Sequence, residues 1–381
     1  MAYIGKGNAK TMKNISVIGV GKLGLAFSLT LEKSGFNVLG VDVNQEYVDA
    51  LNSKSFVSDE PGISNYLQKS KNFVVTVDVA KAVRHADILF VIVATPSLPN
   101  GRYDHSHVEG LIDTLEKLPR HGQHKHFIVC CTTMPGYCDT LEPRLSPLNY
   151  TVSYNPEFIA QGTILKNQSA PDMILIGEGT EEAGDILQEI YEKHTENTPR
   201  ICRMSRTEAE LTKLALNCFL TTKIAYANMV GDIAQSLGGD PDVVLGAIGN
   251  DSRIGSKYLG YGYGYGGPCF PRDNRALALC AGDVGNKALI SVASDESNKD
   301  HLNNQIAHYI KTHPEKSKVS FDFITYKPES TLLVESQQLA FAVGLAKAGY
   351  PIEISERQSV ISEVKAEYGD LFTYIERKED V

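Results

Sequence analysis

The chain has 381 residues, 42% hydrophobic and 22% charged, which suggests two or three domains and excludes a disordered, collagenous or coiled-coil protein. Its 37 Lys and Arg against 46 Asp and Glu leave a formal charge of −9, a poor match for general nucleic-acid binding, which sets cations against phosphates. A local basic site for one small anion stays open. The longest apolar run, Ile88 to Ala94, is far too short to cross a bilayer, and the polar first twelve residues read as a loose extension, not a signal peptide. Seven cysteines at scattered positions, without a CxxC pair, suggest reduced thiols and a cytoplasmic setting.

In chain order, KNISVIGV is a short β-branched run, followed by the helical spacing of GKLGLAFSLTLEKSG. NVLGVD, VVTVD, ILFVIVA and HFIVCC are further apolar runs with helical stretches between them, and YTVSYNPEF and MILIGEG continue the pattern to about residue 178. Strands buried on both faces read this way, so a parallel sheet flanked by helices is expected. A helix-rich region follows, with one long helix over residues 207–235, a Gly-rich stretch at 260–267, and helix again from Ala276 to about Ile310. THPEKSK reads as a linker. VSFDFI, QQLAFAVGLAKAG, PIEIS and LFTYIE then form a second, smaller βα pattern, and ERKEDV a solvated tail. The expected class is α/β: an N-terminal Rossmann-like parallel sheet, a helical central domain with a long helix, and a small C-terminal Rossmann-like α/β domain. The expected divisions are residues 1–12 (extension), 13–204, 205–312 and 313–381.

Gly19-Val20-Gly21-Lys22-Leu23-Gly24 fits GxGxxG between a strand and a helix, and Asp42 ends the next strand 18 residues after Gly24. Gly19 permits the tight turn, Gly21 lets backbone approach a pyrophosphate at the helix N-terminus, and Gly24 allows close helix–strand packing. Asp42 can accept from ribose hydroxyls and would repel a 2′-phosphate, which favours NAD over NADP.

Three further strings carry chemistry. In the run from Asp251 to Asp273, dense glycines let backbone curl around a ligand, and Cys269 follows Gly266-Gly267-Pro268 where a thiol can be presented. In Asn155-Pro156-Glu157-Phe158-Ile159-Ala160-Gln161-Gly162, Glu157 lies at the carboxyl edge of a sheet, where α/β folds bind ligands. In Glu210-Leu211-Thr212-Lys213-Leu214-Ala215-Leu216-Asn217, Lys213 and Asn217 share a helix face and can hold and polarise one oxygen. A solvated Lys/Asn pair and a buried structural thiol are the plainer readings. HGQHKH at 121–126 lacks a matching carboxylate, so no metal is expected.

Together these strings resemble the UDP-glucose/GDP-mannose dehydrogenase family. The blocks run in order from Ile15 to about Arg275: GVGKLG with Asp42, Ala94-Thr95-Pro96, TTMPG at 132–136, NPEFIAQG, LTKLALN, and the run from Arg253 to Asp273. The resemblance continues weakly beyond. It implies four-electron, NAD-dependent oxidation of the C6 alcohol of a nucleotide sugar to a carboxylate, foremost UDP-glucose to UDP-glucuronate, through a Cys thiohemiacetal and thioester. GDP-mannose is the alternative substrate. A two-electron hydroxyacid-type dehydrogenase and a non-catalytic binder are the competing classes.

By resemblance, Cys269 is the nucleophile, Lys213 and Asn217 stabilise the substrate oxygen, and Glu157, Thr133 and Asp273 hold or activate water. Thr95, Pro96 and Thr133 would lie beside the nicotinamide half of the cofactor. Phe158, Ile159, Arg253, Tyr258, Gly264 and Gly266 match positions around the sugar nucleotide, and Lys327 in Tyr326-Lys327-Pro328 is the carry-over from the last block. Arg272 stands where the family usually has Lys, and Val334 where it has Arg, which puts the nucleotide lid in question. The resemblance further implies a site between the outer domains lined by the long helix, at least a homodimer, and no membrane or nucleic-acid partner.

Overall fold

The computed structural model describes residues 14–159, 162–328 and 330–377. The expected extension at 1–12, Ala160 and Gln161 of the NPEFIAQG string, and the last four residues of the acidic tail lie outside these. The chain forms two compact units, one up to Lys213 and one from Leu214.

The first unit is built on eight strands: β1 (Asn14–Ile18), β2 (Asn37–Val41), β3 (Val74–Thr76), β4 (Ile88–Val91), β5 (Lys125–Val129), β6 (Tyr150–Tyr154), β7 (Met173–Glu178) and β8 (Arg200–Ser205). Their order is β3-β2-β1-β4-β5-β6-β7-β8. From β3 to β6 the sheet is parallel, with registers such as Ile15 on Val38 and Ser16 on Leu89. Successive residues bury opposite faces, as a sheet covered on both sides requires. Ile15, Val17, Phe90 and Ile128 enter one core, and Ile18, Leu89, Val91, Phe127 and Val129 the other. The strand order reverses between β1 and β4, which opens a crevice at the carboxyl ends of these strands.

Two features differ from the expected pattern. β7 pairs antiparallel with β6, through Tyr154 and Gly177, so the sheet is mostly rather than wholly parallel. β8, unforeseen in the sequence, pairs parallel with β7. Its residues RICRMS carry two arginines and a half-buried pattern typical of a sheet edge, which masks the apolar signal of a strand.

The long helix spans Arg206–Ser236, one residue beyond the expected span at each end. It starts in the first unit and continues into the second, where Phe219, Tyr226, Ile233 and Leu237 leave large apolar surface exposed. The stretch expected to be helical from Ala276 onward is two helices, Phe270–Asp283 and Leu289–Thr312. The break falls where Gly285 takes φ +70°, which a continuing helix cannot contain. The chain ends in a three-stranded parallel sheet, β9 (Val319–Phe321), β10 (Ile352–Glu356) and β11 (Thr373–Glu376), in the order β11-β10-β9. Its core gathers Phe321, Phe341, Leu345, Ile352, Ile354 and Phe372. The expected fold class is thus the observed one. No helix among the described residues is long and apolar enough to cross a membrane.

Candidate functional site

The turn after β1 is built as the spacing of its glycines requires. Gly19 has φ +89°, and a Cβ there would stand 2.5 Å from the Ile92 carbonyl oxygen. A Cβ on Gly24 would stand 1.9 Å from the Gly19 oxygen, so the helix Lys22–Lys33 can lie this close to the turn only with glycine at that position. Space beside Gly21, by contrast, is open. Gly21 caps the helix without a side-chain bond, leaving N–H groups to face an anion. Tyr47 donates to the Val20 carbonyl at 2.9 Å and so braces the turn. Burial, aided by Asp42, pushes its phenol up to about 12, so it remains a donor. Asp42 follows β2 directly, half-buried, and its Oδ1 accepts from the Asn44 N–H. Lys22 pairs with Asp59 at 2.8 Å, and the Leu23 carbonyl accepts from Gln168 at 3.3 Å. A cavity of about 200 Å³ at the far end of this helix, lined by Thr30, Lys33, Lys193 and His194, is too small for a dinucleotide.

Glu157 lies just beyond β6. The intervening Asn155 is buried and fixed at both ends: its Nδ2 donates to the Leu175 carbonyl at 2.9 Å and its Oδ1 accepts from Tyr191 at 2.6 Å. Gln168, on the helix Ile164–Ser169, donates its Nε2 to both Glu157 carboxylate oxygens at 3.1 and 3.3 Å. Burial pushes the Glu157 carboxyl up to about 7, against the opposing pull of Gln168 and of the Lys213 charge. Lys213, itself buried, donates to the Glu157 carbonyl at 2.6 Å and stands 4.4 Å above the Phe158 ring. Phe158 and Ile159 pack against the two cores of the first unit. An ammonium and a carboxyl that titrates near neutrality therefore share one edge of the sheet.

Thr133 is wholly buried, and its hydroxyl donates to Glu210 at 2.8 Å. The same carboxylate accepts from the N–H groups of Gly136 at 2.6 Å and Cys138 at 2.9 Å. Burial raises the Glu210 carboxyl while these bonds pull it back down. TTMPG is thereby latched to the long helix. Thr95 reaches the same segment, donating to the Thr132 carbonyl at 2.8 Å, and Pro96 is exposed beside it.

In the second unit, Cys269 is exposed at the N-cap of the helix Phe270–Asp283, whose positive dipole end favours a developing anion. Its carbonyl accepts from the Asp273 N–H at 2.8 Å. Asp273 is buried, accepts from the Asn217 Nδ2 at 2.6 Å and lies 3.3 Å from the Arg272 Nε. The Asp273 carboxylate thus fixes the Asn217 amide. Lys213 and Asn217 stand four residues apart on one continuous helix.

Family models for the UDP-glucose/GDP-mannose dehydrogenases match this chain twice: the NAD binding domain over residues 13–195 and the central domain over 207–300. The UDP-glucose 6-dehydrogenase YwqF of Bacillus subtilis is 32% identical over 71% of this chain and 62% of its own length. The GDP-mannose 6-dehydrogenase of Pseudomonas aeruginosa is 30% identical over 96% of this chain and 85% of that one. The structure of a UDP-glucose dehydrogenase from the hyperthermophilic archaeon Pyrobaculum islandicum superposes with a TM-score of 0.86 at 28% identity, covering 98% of this chain and 88% of that one. The chain belongs to the UDP-glucose/GDP-mannose dehydrogenase family.

NAD is the cofactor of this family of nucleotide-sugar dehydrogenases, and the first unit fits it: the space beside Gly21 is open and could take a pyrophosphate, and the Asp42 carboxylate at the end of β2 could accept from ribose hydroxyls. Arg253 is held by Asp251 at 2.7 Å with its side chain 86% exposed. Gly264 and Gly266 are filled from their Cβ side, by Asn298 at 2.3 Å and the Glu335 carbonyl at 2.2 Å, so their missing side chains admit protein. Tyr258 is half-exposed at φ +61°, and Lys327 stands 5.8 Å from the Tyr326 ring. His124, of the histidine cluster, bonds Thr151 and Asn149. Two residues without a role in the sequence reading emerge: Glu210 and Gln168. Glu210 was visible as a carboxylate on the apolar side of a helix; Gln168 gave no signal.

Proposed function

We propose that this family member oxidises the C6 alcohol of UDP-glucose to the carboxylate in two two-electron steps. The observation that supports this reading is Cys269, exposed at a helix N-terminus next to an Asp273–Asn217 pair. A single alcohol oxidation has no use for a thiol; a second oxidation at the same carbon gains one, because the thiohemiacetal retains the aldehyde and carries the second C–H.

NAD, when bound, accepts hydride from the sugar carbon. The chain's residues supply the rest. Lys213 and Asn217 stabilise the negative oxygen as the C6 hydroxyl loses its proton. The aldehyde carbon bonds the Cys269 sulfur, giving a thiohemiacetal whose C–H is the second hydride source. The resulting thioester is opened by water, returning the thiol. Glu157, with its carboxyl near 7, exchanges protons with hydroxyl or water in this sequence. The balance is one alcohol, two NAD and one water giving one carboxylate, two NADH and three protons.

The match to a GDP-mannose 6-dehydrogenase over 96% of the chain favours GDP-mannose as the second reading. NADH formed per sugar nucleotide consumed, with excess NAD and the two sugars in parallel, decides between them. Two NADH per UDP-glucose is the expected result. One NADH per sugar would overturn the thioester route, and faster turnover of GDP-mannose would reassign the substrate. The exposed stripe of Phe219, Tyr226, Ile233 and Leu237 supports a homodimer; light scattering is expected to give twice the chain mass, and a monomer mass would exclude it.

A further inference from the structure

Gln168 is 5% exposed, and its amide nitrogen faces three acceptors. Two are the carboxylate oxygens of Glu157, at 3.1 and 3.3 Å, and the third is the Leu23 carbonyl at 3.3 Å. Leu23 is the second residue of the helix that opens at the Gly-rich turn. One side chain therefore connects the backbone of the cofactor turn with the carboxylate beyond β6. Its Oε1 is buried and accepts no bond from the described residues, so among these the amide donors account for its polar contacts.

We infer that Gln168 is a positioning residue that ties Glu157 to the cofactor-binding helix and favours its ionised form. The inference rests on the reading of Glu157 as the group that exchanges protons. An N–H donated to a carboxylate stabilises the anion more than the neutral acid. The other groups facing Glu157 leave this effect visible. Lys213, on the long helix, favours the anion. Cys130, just after β5, and Tyr191, on the helix Glu181–His194, both interact with Glu157, and burial keeps both protonated. Neither adds charge near neutrality. Removing the amide leaves burial opposed by Lys213 alone.

The test is Gln168→Met, which keeps length and volume and removes the donor. Carboxyl carbon NMR of Glu-labelled protein follows Glu157 directly, its signal assigned by its loss in Glu157→Gln. The midpoint is expected to rise from about 7 by roughly one pH unit, a ~10-fold change in proton affinity. An unmoved midpoint overturns the inference. The acid limb of the kcat/KM profile is expected to move by the same amount. If the NMR midpoint moves and the rate profile does not, Gln168 tunes Glu157 as inferred and the proton-exchange role of Glu157 fails instead. Gln168→Glu, equal in length to the native side chain, serves as the second variant if the first does not fold; its added carboxylate should raise the midpoint further, and no rise would overturn the inference.

Discussion

Cys269→Ser is expected to lower carboxylate formation by ~10³-fold or more and to hold the yield at no more than one NADH per sugar nucleotide. A serine hydroxyl adds to an aldehyde, but it is a far weaker nucleophile near neutrality and its ester is a far more sluggish acyl donor than a thioester. Both later stages therefore fail together. Cys269 is exposed at a helix N-cap and enters none of the hydrophobic cores, so the melting temperature should stay within a degree or two of the native protein. Affinity for NAD should also hold, since the Gly19–Gly24 turn and Asp42 belong to the other unit. Progress curves with limiting sugar nucleotide, read against NAD binding and a thermal melt, check the three statements. Two NADH per sugar at a rate within tenfold of the native enzyme would remove the thiol from the reaction.

The parts of this molecule legible in its sequence are those where local rules and tertiary demands coincide. Gly19 and Gly24 are dictated by contacts a few residues away or across one strand, so their spacing announces the turn. The long helix has no internal proline and few breakers, and its predicted span is right to one residue at each end. β7 was legible as a strand but not in direction: apolar runs report burial, and both senses of pairing bury the same side chains. β8 was hidden because its polar residues answer to partners on other elements. Arg203 bonds Glu178 and Asp185.

The candidate site divides along the same line. Lys213 could be singled out by its spacing to Asn217, but its bond to the Glu157 carbonyl could not, since 56 residues separate the partners. Glu210 and Gln168 act through backbone and carboxylate groups brought near only by folding. A short helix such as Ile164–Ser169 has no periodicity with which to mark an inward glutamine. Gly266 shows a second demand that a motif does not display. A glycine in a ligand-curling run is here also a glycine against the Glu335 backbone, and the string alone reads the same in both cases.

Lys213→Met is expected to lower kcat by ~10²–10³-fold with a smaller change in the KM for sugar nucleotide, because the substrate oxygen carries more negative charge in the transition state than in the bound alcohol. Methionine keeps most of the aliphatic stem that packs toward Phe158, so the change isolates the ammonium. A second effect follows from the same lost charge. Lys213 pulls the Glu157 carboxyl down from where burial alone would put it. Without that pull the midpoint climbs above about 7, a smaller fraction of Glu157 is ionised at neutral pH, and the acid limb of the rate profile moves to higher pH. Raising the pH should therefore recover part of the loss, but not the part owed to the substrate oxygen. Lys213→Arg keeps the charge and should keep the position of the acid limb, while its planar fork cannot reproduce the 2.6 Å point contact with the Glu157 carbonyl and leaves kcat reduced. Rate profiles of the two variants separate the charge from its placement. A Lys213→Met enzyme within threefold of native kcat, with an unmoved limb, would take Lys213 out of the chemistry and leave it a structural tie to the strand edge.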